Sequence, residues 1–177
     1  PPFPLLIATV LGTALASASA NAFNMYFDRD IDAIMTRTKS RPLPAGRLEP
    51  VNALVFAIAL GIASFAVLAT WVNLPSALLA LSGILYYVFV YTLGLKRRTP
   101  QNIVIGGAAG SVPPLISWAA VTGTVEWPAI LLFLIIFLWT PPHFWALALL
   151  KNEDYVRAGV PMLPVVRGEE ETRRQIF

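Results

Sequence analysis

The 177-residue sequence contains no cysteine, which excludes a disulfide framework, a thiolate nucleophile, a thiolate metal site and a CxxC redox pair. It has one histidine, His143, too few for a multi-histidine metal centre. Charge is scarce: 13% of residues are charged against 56% apolar, and mean hydropathy is +0.66. Ordinary soluble domains carry about 25% charged residues, so too few remain here to coat a water-facing surface, and lipid takes the place of the missing solvent. There is no Gly-Lys-Ser/Thr phosphate loop and no GxGxxG. No methionine or basic segment precedes the first apolar run, and the sequence stops in a polar stretch at Phe177, so it reads as an internal piece of a longer protein. A net charge of +3 would suggest nucleic acid in a polar chain. In this one it points to membrane topology, with no nucleic-acid partner.

What is present is apolar and regular. Five charge-free stretches follow one another, at Phe3–Phe27, Val51–Trp71, Leu74–Leu95, Ile103–Gly123 and Pro128–Leu150. Each is near the ~20 residues a helix needs to cross the hydrocarbon core. The fold class is therefore an all-α membrane protein, a multi-helix transmembrane bundle. All 13 Lys and Arg residues lie on alternate loops, within 28–50, 95–102 and 151–177. The positive-inside rule places these loops on the cytoplasmic side, or the matrix side of an organelle. Gly12, Ala16 and Ala20 are four apart and permit close helix contact. Helix breakers at Gly110, Pro113–Pro114 and Pro141–Pro142 predict kinks, or backbone that lines a cavity.

The most informative stretch closes span one. Asn24, Asp28 and Asp32 are spaced i, i+4, i+8 and share one face if the helix continues. Carboxylates one turn apart repel, and a divalent cation reverses that penalty. Carboxylate and amide oxygens suit Mg²⁺, which completes its shell with water and substrate phosphates. Asp30 lies around the helix and takes a separate part. Arg37, Lys39 and Arg41 follow, and guanidinium groups match phosphate geometry. Metal-holding acids followed by phosphate-holding cations fit a diphosphate site at the membrane surface. A solvated interfacial loop with scattered charges is the plainer reading of the same residues. A second polar cluster, His143 and then Lys151-Asn-Glu-Asp154-Tyr155-Val-Arg157, falls on the same side. Lys151 there reads equally as a snorkelling anchor, and His143, two turns inside span five, as a functional group or a hydrogen-bonded structural one.

Asn24-xxx-Asp28-xxx-Asp32 followed by Arg37-Thr38-xx-Arg41-Pro42 resembles the first aspartate-rich motif of the UbiA superfamily of intramembrane prenyltransferases. Tyr91-xxxx-Lys96-Arg97-x-Thr99, Gly110-xx-Pro113-Pro114, Pro142-His143 and Asp154-Tyr155 with Ala158–Val166 are similar, more narrowly, to its heme-farnesylating branch. The resemblance implies a nine-helix bundle around a central cavity, of which 1–177 would be part of one domain lacking the first and last helices. It implies a bacterial plasma membrane or mitochondrial inner membrane location. The implied activity transfers a farnesyl group from farnesyl diphosphate to a vinyl group of heme B, with heme A synthase or oxidase assembly factors as partners. Asn24, Asp28, Asp32 and Asp154 would hold Mg²⁺, with Asp28, Asp32 and Asp154 catalytic. Arg37, Arg41, Lys96, Arg97 and Lys151 would neutralise the diphosphate, and His143 would contact the heme. The second motif, Lys151-xx-Asp154, departs from the superfamily's DxxxD, so a symmetric two-metal scheme is not implied.

Three other readings compete. An aromatic acceptor of the quinone branch keeps the same fold and diphosphate site. The DGxxAR pattern of CDP-alcohol phosphatidyltransferases is absent. A cation or proton transporter would place ionisable groups near mid-membrane, where only His143 comes close.

Overall fold

The computed structural model describes residues 1–177 and is built of helices alone. Helix α1 spans Phe3–Phe27, α2 Arg29–Ile34, α3 Pro50–Trp71 and α4 Leu74–Leu85, which continues as a π-helix over Tyr86–Leu95. Then come α5 (Asn102–Gly110), α6 (Pro113–Thr122), α7 (Trp127–Leu150), α8 (Asn152–Arg157) and α9 (Leu163–Ile176). Five helical segments are long and apolar enough to cross a membrane. Their ends fall within a residue or two of the expected spans, because the charges and turn residues that bound each run also end each helix. Large apolar side chains such as Phe56, Ile62, Phe89 and Ile135 face outward, as they must in a molecule whose solvent is lipid.

Small residues allow the helices to approach. Helix α1 packs along α3: Ala16, Ser19, Ala57 and Leu68 are buried there. The hydroxyl of Ser19 donates to the Ala57 carbonyl at 2.8 Å, and that of Ser64 to the Gly12 carbonyl at 2.7 Å. Such interhelical bonds contribute about 0.6 kcal/mol each in a bilayer. A Cβ added to Gly12 would stand 2.5 Å from Leu68 Cγ, so the absence of a side chain sets the spacing. Gly12→Val in the full-length protein is expected to lower stability by about 1–3 kcal/mol, read as a lower midpoint of thermal unfolding in detergent. An unchanged midpoint would show that α1 and α3 can separate freely.

The fourth span is broken, as its prolines predict. Pro113 and Pro114 lack the N–H groups that would continue the ladder, so α5 stops at Gly110 and α6 restarts at Pro113. Helix α6 then ends in Gly123, whose φ of 78° gives a left-handed cap. Nearby, the Asn73 side chain accepts from the Ser76 amide at 2.9 Å and donates to the Ala119 carbonyl at 2.8 Å, tying two helix ends together. In the fifth span α7 continues past Pro141 and Pro142 as one helix. Next to them, Thr140 meets α5 at Gly107, where an added Cβ would lie 2.9 Å from Thr140 Cγ2, so the two helices approach closely there.

Candidate active site at the polar end of the bundle

The three cation-bearing loops meet at one end of the bundle. Helix α1 breaks briefly at Asp28 (φ −95°, ψ 9°) before α2, and two bonds span the break: the Asp28 amide to the Asn24 carbonyl at 2.8 Å and the Asp32 amide to the Asp28 carbonyl at 2.7 Å. The expected face therefore forms. Asp28 and Asp32 are both buried, at 1% and 4% exposure, and each is met by a cation. Lys96 pairs with Asp28 Oδ2, which also accepts from Asn24 Nδ2 at 2.5 Å. Arg41 pairs with Asp32 Oδ2 at 2.7 Å.

The loop after α2 is held by the residues of its Arg-Thr-xx-Arg run. The Thr38 hydroxyl, fully buried, donates to the Asp32 carbonyl at 3.0 Å. Arg37 lies 5.8 Å from the Tyr155 ring centroid and reaches its hydroxyl at 3.5 Å. A cavity of about 180 Å³ collects Asn24, Asp32, Arg37, Arg41 and Lys96 from the sequence-derived set. It adds Asn21, Tyr87, Tyr91, Phe144 and Tyr155, which sequence reasoning did not single out as site residues.

The tyrosines arrive there through the π-helix. Its wider turn runs the Lys96 amide to the Tyr91 carbonyl at 2.9 Å, five residues back, and the Thr92 hydroxyl to the Tyr87 carbonyl at 2.9 Å. Such insertions are often found at functional sites. The rings of Tyr87 and Tyr91 pack at a 37° tilt with centroids 5.2 Å apart, and Lys96 Nζ sits 5.9 Å from the Tyr91 ring centroid. Gly106 makes room for that ring, since an added Cβ would lie 2.2 Å from Tyr91 Cδ2. The Asn102 amide closes the segment by donating to the Lys96 carbonyl at 3.2 Å.

Five expected site residues are not in the lining of this cavity: Asp28, which opens with Arg97 onto a neighbouring polar cavity of about 420 Å³, then Arg97 itself, Asp154, Lys151 and His143. Arg97 forms a two-pronged pair with Asp30, both contacts at 2.7 Å, and donates to the Phe27 carbonyl at 2.9 Å. That bond holds Asp30 below the ordinary carboxylate range and raises Arg97 in turn. Asp154 is turned away from Asp28 and Asp32: its Oδ1 accepts the Thr36 amide at 3.2 Å and faces Arg157 at 3.8 Å. The Thr36 amide holds its pKa low, with Arg157 adding to the effect. No three acidic or histidine side chains gather closely enough to hold a metal alone, and in this arrangement Asp154 tethers α8 to the Thr36 loop. Lys151 is exposed and makes no ion pair. His143 stacks on Trp139, centroids 4.3 Å apart, and it is the next residue, Phe144, that lines the cavity.

The residues fit a divalent cation in a more limited way. Asp28 Oδ1 is buried and accepts no hydrogen bond, although Arg97 approaches within 3.5 Å. An anionic oxygen left unpartnered in the interior is costly. Asn24 and Asp32 lie one turn to either side, and Mg²⁺ needs only one or two carboxylates when phosphate and water complete its shell. A second, apolar cavity of about 270 Å³ lies deeper, among α1, α4 and the α5–α6 break. It shares Asn21 and Tyr87 with the polar one, so the two lie on either side of these residues.

The model of the UbiA prenyltransferase family matches residues 1–177. Among curated proteins, the chain is 63% identical over 177 residues to a protoheme IX farnesyltransferase of Symbiobacterium thermophilum, covering 100% of this chain and 59% of that one. It is 65% identical over 173 residues to the enzyme of the same name from Gloeobacter violaceus, covering 98% and 57%. The chain thus spans under two thirds of the length of these relatives. A solved UbiA homolog from Archaeoglobus fulgidus, bound to DMAPP and Mg²⁺, superposes with a TM-score of 0.77 at 21% identity, covering 99% of this chain and 62% of that one. The same homolog bound to GPP and Mg²⁺ superposes equally well. The similarity carries the fold, and with five spanning helices the chain is part of an integral membrane protein.

Proposed function

Since the chain belongs to the UbiA prenyltransferase family, we propose that the protein of which it is part transfers a farnesyl group from farnesyl diphosphate to a vinyl group of heme B. The product is heme O, with diphosphate released. The observation that carries this reading is the junction of the two cavities at Asn21 and Tyr87: acids and cations on the polar side, an apolar chamber on the membrane side. An amphiphile with a diphosphate head and an isoprenoid tail matches both. The heme acceptor rests on the names of the relatives and on the motifs shared with that branch.

Asn24, Asp28 and Asp32 would hold Mg²⁺, which supplies charge stabilisation to the leaving diphosphate. Arg37, Arg41 and Lys96 would turn onto the phosphate oxygens, stabilising the negative charge that grows as the allylic C–O bond breaks. The π faces of Tyr87 and Tyr91 would stand beside the allylic cation, and their bulk would keep water from it. The vinyl group attacks that cation, and water then adds to give the hydroxyethylfarnesyl side chain. Asp154 contributes by fixing the loop that carries Arg37 and Arg41, and Arg97 by fixing the α1–α2 junction. Lys151 and His143 would meet diphosphate or heme only after moving from their observed places. The cation-rich loops would face the cytoplasm or matrix. Heme O, which stays in the bilayer, would pass to a heme A synthase or an oxidase assembly factor.

Membranes containing the full-length protein, supplied with heme B, farnesyl diphosphate and Mg²⁺, are expected to yield a hydroxyethylfarnesyl heme by mass spectrometry. EDTA should abolish the product. Prenylation of 4-hydroxybenzoate in its place would move the acceptor to the quinone branch. Neither product from folded protein would overturn the reading.

A further inference from the structure

Going down from the polar end, the apolar cavity is kept open by residues that withhold side chains. Gly83 on α4 and Gly110 at the end of α5 both line it, with Ala16 and Ala20 of α1 opposite and Ile116 of α6 further in. A Cβ placed on Gly110 would meet no neighbouring side chain within 4 Å, and one on Gly83 would touch Val112 at an ordinary 3.5 Å. At neither position does packing forbid a side chain. This contrasts with Gly12, Gly106 and Gly107, where an added Cβ would fall within 3 Å of a neighbour. Gly110 lies eight residues along α5 from Asn102, about 12 Å at 1.5 Å per residue, so a side chain there would enter the chamber beyond the first part of a tail reaching in past Tyr87.

We propose that Gly110, assisted by Gly83, determines the length of isoprenoid tail that the protein accepts, by leaving the inner part of this cavity unfilled. The proposal rests on the functional reading above, and its occupant follows from the position of this chamber next to the charged one, with Asn21 and Tyr87 in the walls of both. Each methylene excluded from an apolar pocket forfeits its burial, so a blocked chamber discriminates against the unit that can no longer enter. Short tails, which end above the obstruction, lose less.

The test measures binding to the purified full-length protein with Mg²⁺, by calorimetry, so that no acceptor is required. The probes are inorganic, dimethylallyl, geranyl, farnesyl and geranylgeranyl diphosphate. In the unsubstituted protein, affinity is expected to rise with tail length. Gly110→Leu is expected to lower the ratio of farnesyl to dimethylallyl affinity by about tenfold or more. Gly83→Ala should lower it less, in the same direction, and carries the test if the leucine variant does not insert. Ile116→Ala, which enlarges the inner end, should raise affinity for geranylgeranyl diphosphate relative to farnesyl. An unchanged ratio, or equal losses at every tail length, overturns the proposal. Tight binding of inorganic diphosphate with no gain from a tail would overturn it while leaving the charged site intact. Failure to bind any diphosphate would overturn the functional reading together with it.

Discussion

Replacing Asp28 by Ala in the full-length protein is expected to lower farnesyl transfer by about 10³-fold or more, with membrane insertion unaffected. A factor of 10³ corresponds to about 4 kcal/mol of barrier, a fair share for a group that both holds the metal and anchors a cation. Asp28 is almost wholly buried, shares Oδ2 with Lys96 and Asn24, and keeps Oδ1 free of hydrogen bonds. Asp28→Asn preserves the shape and removes the charge, so it should be nearly as inactive. Asp30→Asn should cost little by comparison, since Asp30 is solvent-exposed and turned to Arg97. Steady-state turnover of the three variants, with insertion checked by protease protection, would decide. Normal turnover by Asp28→Ala would remove the metal assignment.

Lys96→Met should move the two ligands in opposite directions. As observed, Lys96 and Arg41 sit on the very carboxylates that Mg²⁺ would use. Buried anions need a counter-charge at all times, and in the substrate-free protein these cations provide it. When diphosphate and metal enter together, each cation can leave its acid for a phosphate oxygen while the metal takes its place, and no charge is left uncompensated. Binding of either ligand alone leaves a like-charge clash or a displaced cation, so the two should bind cooperatively. Without Lys96, Asp28 has lost its principal counter-ion. Mg²⁺ affinity in the absence of diphosphate should then rise about tenfold, worth about 1.4 kcal/mol. Diphosphate affinity should fall about 10²-fold, within the range for truncating one partner of a buried charge pair. Titration of Mn²⁺ by electron paramagnetic resonance, with and without inorganic diphosphate, reads both. A parallel loss of both ligands would show that Lys96 only supports the fold.

Much of this architecture follows from rules that act on single segments. A charge-free run of about twenty residues has one way to satisfy its backbone in lipid, so Phe3–Phe27 and Pro50–Trp71 are helices at their expected bounds. Asn24, Asp28 and Asp32 share a face because 3.6-residue periodicity requires it, and Pro113–Pro114 interrupt a helix because two donors are missing. At Pro141–Pro142 two donors are missing as well, yet α7 continues past them as one helix.

Other features depend on what lies opposite. Nothing in Tyr86–Leu95 reveals a five-residue turn, because the choice of carbonyl is made where Thr92 and Asn102 take up the backbone groups. Lys96 and Arg97 are neighbours with the same charge, yet the first enters the cavity and the second closes the α1–α2 junction. His143 and Phe144 divide in the same way, the first stacking on Trp139 and the second lining the cavity. Spacing and hydropathy report on a segment's own backbone and on its solvent, and for this protein they determined the spans, the alternating charged loops and the acidic face. Which cation meets which acid, where Asp154 turns and where space is left unfilled depend on contacts between residues far apart in the chain. Those were decided by the tertiary structure, because partner choice is a property of the packed bundle.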